Sequence, residues 1–279
     1  MSEFQKIIKY CAMAFAAFLA FSIVTGIVTA VFSLTGFISN SSGKELADYN
    51  KSFENVKSLS VENGIGTLTI KTGTTNNVVV KAEKVNDDFT AQQSFSGELK
   101  IKSKFNFWNF IRGKNGIGDK SKITIYIPDD FVADKVELDA GAGNIDIEAL
   151  SAEKFDIKAG AGNIDGSRII ADQVKLDGGV GEITLEDVKF TDADIDSGVG
   201  NVKIQGVLYG KNKIDCGVGE INLELMQSTD DFNLKVDKGL GSVYIDGEKF
   251  SDLNWDNGAA DNSLDINGGV GDIDISFRE

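Results

Sequence analysis

Carboxylates recur at one fixed place in this chain of 279 residues. Asp139, Asp177, Asp196, Asp215 and Asp237 each stand four residues before the second glycine of a Gly-x-Gly unit, and Lys158 and Asn267 interrupt the series. One residue past that glycine stand Asn144, Asn163, Glu182, Asn201, Glu220, Ser242 and Asp272. Carboxylates stacked at strand spacing repel one another, and a hard cation such as calcium relieves that through oxygen ligands. Asp177, Asp196, Asp215 and Asp237 are therefore the candidate metal ligands. The plainer alternative is that Asp and Asn favour turns beside glycine.

The series is similar to the calcium-binding nonapeptide Gly-Gly-x-Gly-x-Asp, with a specific mismatch. Ile183, Val202, Ile221 and Ile273 fill the position that needs Asp, and the period differs. Acid–base hydrolysis of a glycan needs two carboxylates at a suitable separation. Acidic side chains are so plentiful here that a pair arises by chance. Only Arg112, Arg168 and Arg278 are available as bidentate clamps for acidic sugars. Histidine is absent, which removes nucleophile–histidine catalysis and histidine-ligated zinc. The sequence predicts no enzyme and no cofactor beyond the calcium candidates.

A different chemistry gathers at Phe105, Phe107, Trp108 and Phe110, with Lys102, Lys104, Arg112 and Lys114 around them. In an acidic chain this cluster suits insertion at a membrane interface or a grip on a partner or a sugar. The alternative is a loop that caps the end of a repeat stack. Trp255 faces the same choice. The net charge of −15 disfavours nucleic acid and anionic lipid as partners of the acidic body. Cys11 and Cys216 lie too far apart in character to pair, one in an apolar run and one inside the repeats.

What positions these residues is a repeat. Gly-x-Gly recurs at Gly64, Gly141, Gly160, Gly179, Gly198, Gly217, Gly239 and Gly269. The spacing is 19 residues from Gly143 to Gly219, then 22, then 30. A fixed period of this size predicts about ten stacked coils, each backbone hydrogen-bonded to the next. Aliphatic residues keep register with the glycines. One column is Ile145, Ile164, Ile183, Val202, Ile221, Val243 and Ile273. A second is Val61, Leu138, Ile157, Leu176, Ile195, Ile214, Val236 and Ile266. A third is Leu150, Ile169, Val188, Val207 and Met226. Their alternation is strand periodicity. The residues between the glycines, Ala142, Ala161, Val180, Val199, Val218 and Leu240, are also expected to face inward. Cys216, beside Ala140, Ala159, Gly178 and Ser197 in the repeat, reads as a small filler. Alternating stretches at 67–71, 77–83, 98–102 and 122–128 are expected to form the first part of the stack. A long excursion separates them at about 103–121, and a second insertion lies at about 247–262.

No charged side chain occurs between Lys9 and Lys44. That run exceeds the ~20 apolar residues needed to span a bilayer as a helix. It is also too long for a cleaved signal peptide. Residues 1–38 read as a transmembrane signal anchor that meets the lipid bilayer through residues 10–36. Cleavage near Thr29–Ser33 is the other reading. The flanking lysines nearly balance, and a short amino end inside is the default. The body then lies outside the cytoplasm. Residues 39–55 read as a polar tether and 56–279 as an all-β parallel solenoid.

The strand ending Tyr126-Ile-Pro-Asp-Asp, followed by serial Gly-x-Gly-[Asn/Glu/Asp]-hydrophobic-x-hydrophobic units, resembles the bacterial putative-adhesin family of unknown function. It is similar to LiaG-like membrane-anchored proteins of Gram-positive bacteria. The resemblance spans about residues 53–277. It implies a β-solenoid at the cell envelope and supplies no catalytic residues. The expected function is a non-enzymatic structural or interaction module whose partner is a cell-wall polymer or another envelope protein. A carbohydrate-active or calcium-binding solenoid is one alternative. A cytoplasm-facing polymerising scaffold is the other.

Overall fold

The computed structural model describes residues 47–85, 88–103, 121–251, 253–258 and 260–278. The expected anchor at 1–38 and the excursion at 104–120 lie outside the described residues. Among those described, no helix is long and apolar enough to cross a membrane.

Among the described residues the chain is all-β apart from one 3-10 turn at Thr229–Asp231. Consecutive repeats pair in parallel, one coil upon the next, as the fixed period predicts. The pairing Leu138↔Ile157, Ile157↔Leu176, Leu176↔Ile195 and Ile195↔Ile214 builds the second aliphatic column. Ile145↔Ile164↔Ile183↔Val202↔Ile221 builds the first. All of these side chains are buried. Each contributes roughly 1.5–3 kcal/mol of apolar burial. Repetition of this term along the stack drives the fold.

Eight of the nine coils bend at Gly-x-Gly, where only glycine permits the approach, and the first places Ser121 opposite Gly66. Gly200 has φ +139°, and a Cβ on it would lie 1.9 Å from the Gly181 carbonyl oxygen of the neighbouring coil. A second bend needs a left-handed residue without glycine, supplied by Arg168 (φ +48°) and Asp187 (φ +53°). At the next coil Gly206 stands there with φ +153°. The pairing then shifts, so that Val188 meets Gly206 and Phe190 meets Leu208.

That shift corrects the third column. Leu150, Ile169 and Val188 are buried as expected, but Val207 is displaced to a half-exposed position and Leu208 takes the core place. Met226 is exposed, because the chain leaves the coil after Leu225.

The stack has nine parallel coils among the described residues, and its ends depart from chain order. In space the coils run Glu98–Ser103 with Ser121–Pro128, then Ser58–Gly73, then Val132–Ala142 with Ile145–Ile147. Next come Leu150–Ala161 with Ile164–Ser167, Ile169–Val180 with Ile183–Thr191, and Ala193–Val199 with Val202–Tyr209. Last are Lys211–Val218 with Ile221–Leu225, Asn262–Val270 with Ile273–Phe277, and Phe232–Leu240 with Val243–Ile245. The final sequence repeat is thus inserted inside the preceding one. The first sequence repeat is likewise covered by the second.

Antiparallel strands close both ends. Thr90–Gln93 pairs with Glu98–Ser103, Val78–Val85 with Ser121–Pro128, and Ala47–Phe53 lies outside Val78–Val85. At the other end Leu253–Trp255 pairs with Phe232–Leu240, and Glu248–Phe250 with Val243–Ile245. The stretch at 77–83 is therefore a cover and not a coil. Trp255 belongs to the cover at its end. Within the segment read as a tether, Ala47–Phe53 forms a strand whose Phe53 is buried.

Candidate interaction surfaces

The acidic series forms a column on the outer face, built by parallel register. Asp177 pairs with Asp196 and Asp196 with Asp215, so three of the candidate ligands stack. Asn267 then intervenes between Asp215 and Asp237. A lysine two residues earlier on the same strand face answers most of the carboxylates. Lys213 bonds Asp215, Lys235 lies 3.0 Å from Asp237, and Lys175 lies 4.0 Å from Asp177. The repeated Lys-x-Asp, legible in the sequence and overlooked there, supplies the countercharge from within the fold.

Asp196 has no such lysine, since Asp194 occupies that place. Burial, and then Asp194 and Asp215, push its carboxyl above the ordinary aspartate range. Burial also acts upward on Asp215, but hydrogen bonds from Lys213 and Asn267 outweigh it and hold that carboxyl low. Among the described residues no group of three or more acidic or cysteine side chains gathers closely enough to hold a metal ion. Cys216 is buried, its thiol bonded to the Gly200 carbonyl at 3.5 Å, and desolvation raises its pKa. The aromatic candidates Phe105, Phe107, Trp108 and Phe110 lie outside the described residues.

The residues between the glycines overturn their expected direction. Ile65, Ala142, Ala161, Val180, Val199, Val218, Val270 and Leu240 follow one another in register along the corner. None is buried, and Leu240 and Val270 are 43 % and 37 % exposed. Strand alternation places them inward, but the core ends at the preceding small residue, such as Ala140 or Cys216. A corner residue has no interior left to face. The result is an outward aliphatic ridge between two polar columns. On its far side Asn144 accepts from the Asn163 backbone N–H at 3.2 Å, Asn163 from Glu182 at 3.1 Å and Asn201 from Glu220 at 3.0 Å. These side chains rigidify the corner that carries the ridge.

A third surface escaped sequence reasoning. The outer face after the Gly-x-Gly corner forms a cleft of about 1030 Å³ across the first five coils. Thr124 pairs with Thr69, Thr69 with Asp146, Asp146 with Asp165 and Asp165 with Thr184. Thr69 and Thr124 are only 7 % and 8 % exposed, and their hydroxyls, which bond to no described residue, stay open to the cleft. Lys71, Lys122 and Tyr126 line one end. Glu148 and Glu186 are paired with Arg168 at 3.6 Å and Lys203 at 3.5 Å. Asp146 and Asp165 have no such ion pair among the described residues. Burial, and then Asp146, Glu182 and Glu186, raise the Asp165 pKa. Alternation alone marks these positions as outer-face polar residues, and only the stacking order brings Thr69 beside Asp146.

A family model described as Toastrack DUF4097 matches residues 56–279. No curated protein matches the chain. Among solved structures, one described as a putative adhesin from Bacteroides fragilis is 17 % identical, covering 84 % of this chain and 98 % of its own, with a TM-score of 0.44. One described as a putative cell adhesion protein from Clostridium sporogenes is 18 % identical, covering 84 % and 100 %, with a TM-score of 0.37. One described as a putative lipid binding protein from Parabacteroides distasonis is 13 % identical, covering 81 % and 96 %, with a TM-score of 0.33.

Proposed function

The chain belongs to the Toastrack DUF4097 family, and from that premise we propose that it is a non-enzymatic interaction module held at a bacterial cell envelope. The observation that carries this reading is the outward aliphatic ridge from Ile65 to Leu240. Exposed apolar surface that is continuous and rimmed by polar residues marks a place of contact. Here the contact surface is rigid, because each ridge residue is flanked by glycines packed backbone to backbone with the adjoining coil.

The anchor supports the location. Residues 10–36 form an uncharged run long enough to span a bilayer, and the amino end stays in the cytoplasm. The repeat body is then extracytoplasmic and presents the ridge to another envelope protein. A polymerising scaffold is disfavoured by the short antiparallel strands at both ends of the stack, which are devices that block edge-to-edge addition.

The test is photo-crosslinking in living cells from the full-length protein. A photoreactive residue at Val199 or Val218 captures a discrete envelope partner, while one at Lys175 on the charged face does not. Protease added to intact cells removes the repeat body. Equal capture from Val218 and Lys175, or protection of the body from protease, overturns the reading.

A further inference from the structure

We infer that the cleft over the first coils is a binding groove for a linear, neutral, polyhydroxylated chain, that is, a glycan. This deepens the interaction-module reading by giving a ligand class to a second face. Its floor holds two hydroxyls, Thr69 and Thr124, that have no partner among the described residues and open onto the cleft. Such groups are left to water, which a ligand hydroxyl replaces without losing the hydrogen bond. Beside them Asp146 and Asp165 offer free acceptor oxygens one coil apart, about 4.8 Å. Hydroxyl groups of a sugar donate to carboxylates and accept from threonine and lysine. Tyr126, half-buried at one end, supplies an aromatic flank, and Lys71 and Lys122 supply donors.

Other ligand classes fit less well. Among the lining residues the acidic side chains Asp146, Glu148, Asp165 and Glu186 outnumber Lys71 and Lys122, which opposes a polyanion. A peptide strand would need an open sheet edge, and this floor is the face of a sheet whose backbone is already paired. The ligand is extended because the outer column continues beyond the cleft through Thr184, Lys203, Asn222 and Asp274.

The experiment titrates the full-length protein in detergent micelles with chitotetraose and with cellotetraose by calorimetry. One or both bind, and Thr124→Val and Asp165→Ala each weaken that binding about tenfold, the loss of one good hydrogen bond at the site. Lys175→Ala, on the charged face away from the cleft and its column, leaves it unchanged. Should Thr124→Val fail to fold, the exposed Asp165→Ala carries the test by itself. Absence of heat with both sugars up to about 10 mM overturns the inference. So does binding that Asp165→Ala leaves intact, or release of shorter sugars. The crosslinking from Val218 is independent of these titrations, so either proposal can fail without the other.

Discussion

The Asn267 amide donates a hydrogen bond of 2.7 Å to the Asp215 carboxylate, 52 residues earlier in the chain. The two residues are register partners, and Asp237, nearer to Asp215 in sequence, lies one coil farther away. The last repeat is therefore lodged between two coils that precede it. A double-mutant cycle of Asp215→Ala with Asn267→Ala is expected to show coupling of about 1 kcal/mol in chemical denaturation. The same cycle with Asp237→Ala is expected to show almost none. Coupling to Asp237 in place of Asn267 would establish stacking in chain order.

The corner glycines have the sharpest steric requirement. Gly200→Ala puts a Cβ at 1.9 Å from a neighbouring carbonyl oxygen in a backbone conformation that suits glycine alone. Relief requires two coils to separate. The expected cost is at least about 3 kcal/mol, read as a lowered denaturation midpoint. Gly258→Ala, where nothing lies within 4 Å, is expected to change stability by less than about 0.5 kcal/mol. Equal effects at the two positions would mean that the corners are not packed backbone to backbone.

Much of this architecture was legible because the 19-residue period ties each aliphatic position to the glycines. Ile164 and Leu176 found their columns for that reason, and Val61 joined the second column across a gap in sequence. Periodicity assumes that the chain climbs one coil per repeat. The 22-residue step to Gly241 contains the extra 3-10 turn at Thr229–Asp231, which carries the chain past a vacant layer. The 30-residue step to Gly271 contains the covering strands and brings the chain back to fill that layer. Both spacings were visible, but their meaning depends on pairing. Val180 and Val218 misled through alternation, which fails at a corner. The cleft was hidden because Thr69 comes beside Asp146 only through the exchanged order of the first two coils.

Cys216 is expected to be chemically quiet in the native protein. It pairs with Ser197 on one side and Gly268 on the other, in a column with room for small side chains only. Desolvation raises its thiol pKa, so the thiolate forms only above the ordinary range near pH 9. In a Cys11→Ser background, alkylation at about pH 8 is expected to be slow until denaturant is added. Rapid native labelling would show that the column opens. Cys216→Leu is expected to cost about 1–3 kcal/mol through overpacking against the Gly200 carbonyl it now touches.

Two carboxylates of the acidic column are expected to respond to pH with opposite sign. Asp196 has a folded pKa above the unfolded value of 3.8, through burial and its acidic neighbours. Between 3.8 and that raised value the folded chain holds the extra proton, so stability falls as pH rises through the window. Asp215 has a folded pKa below 3.8, because Lys213 and Asn267 together overcome its desolvation. Its contribution is complete above 3.8 and is lost as pH falls through the lowered value. Asp196→Asn is therefore expected to raise the melting temperature at neutral pH, with a gain that shrinks toward about pH 4. Asp215→Asn is expected to lower it at neutral pH, with a loss that fades below the ordinary aspartate range. Both side chains are partly solvated, so each effect stays within about 1 kcal/mol. Scanning calorimetry of the two variants between about pH 3 and 8 reads the slopes directly. If Asp196→Asn instead destabilises at neutral pH, favourable partners hold its carboxylate charged, and the upward shift assigned to it is overturned.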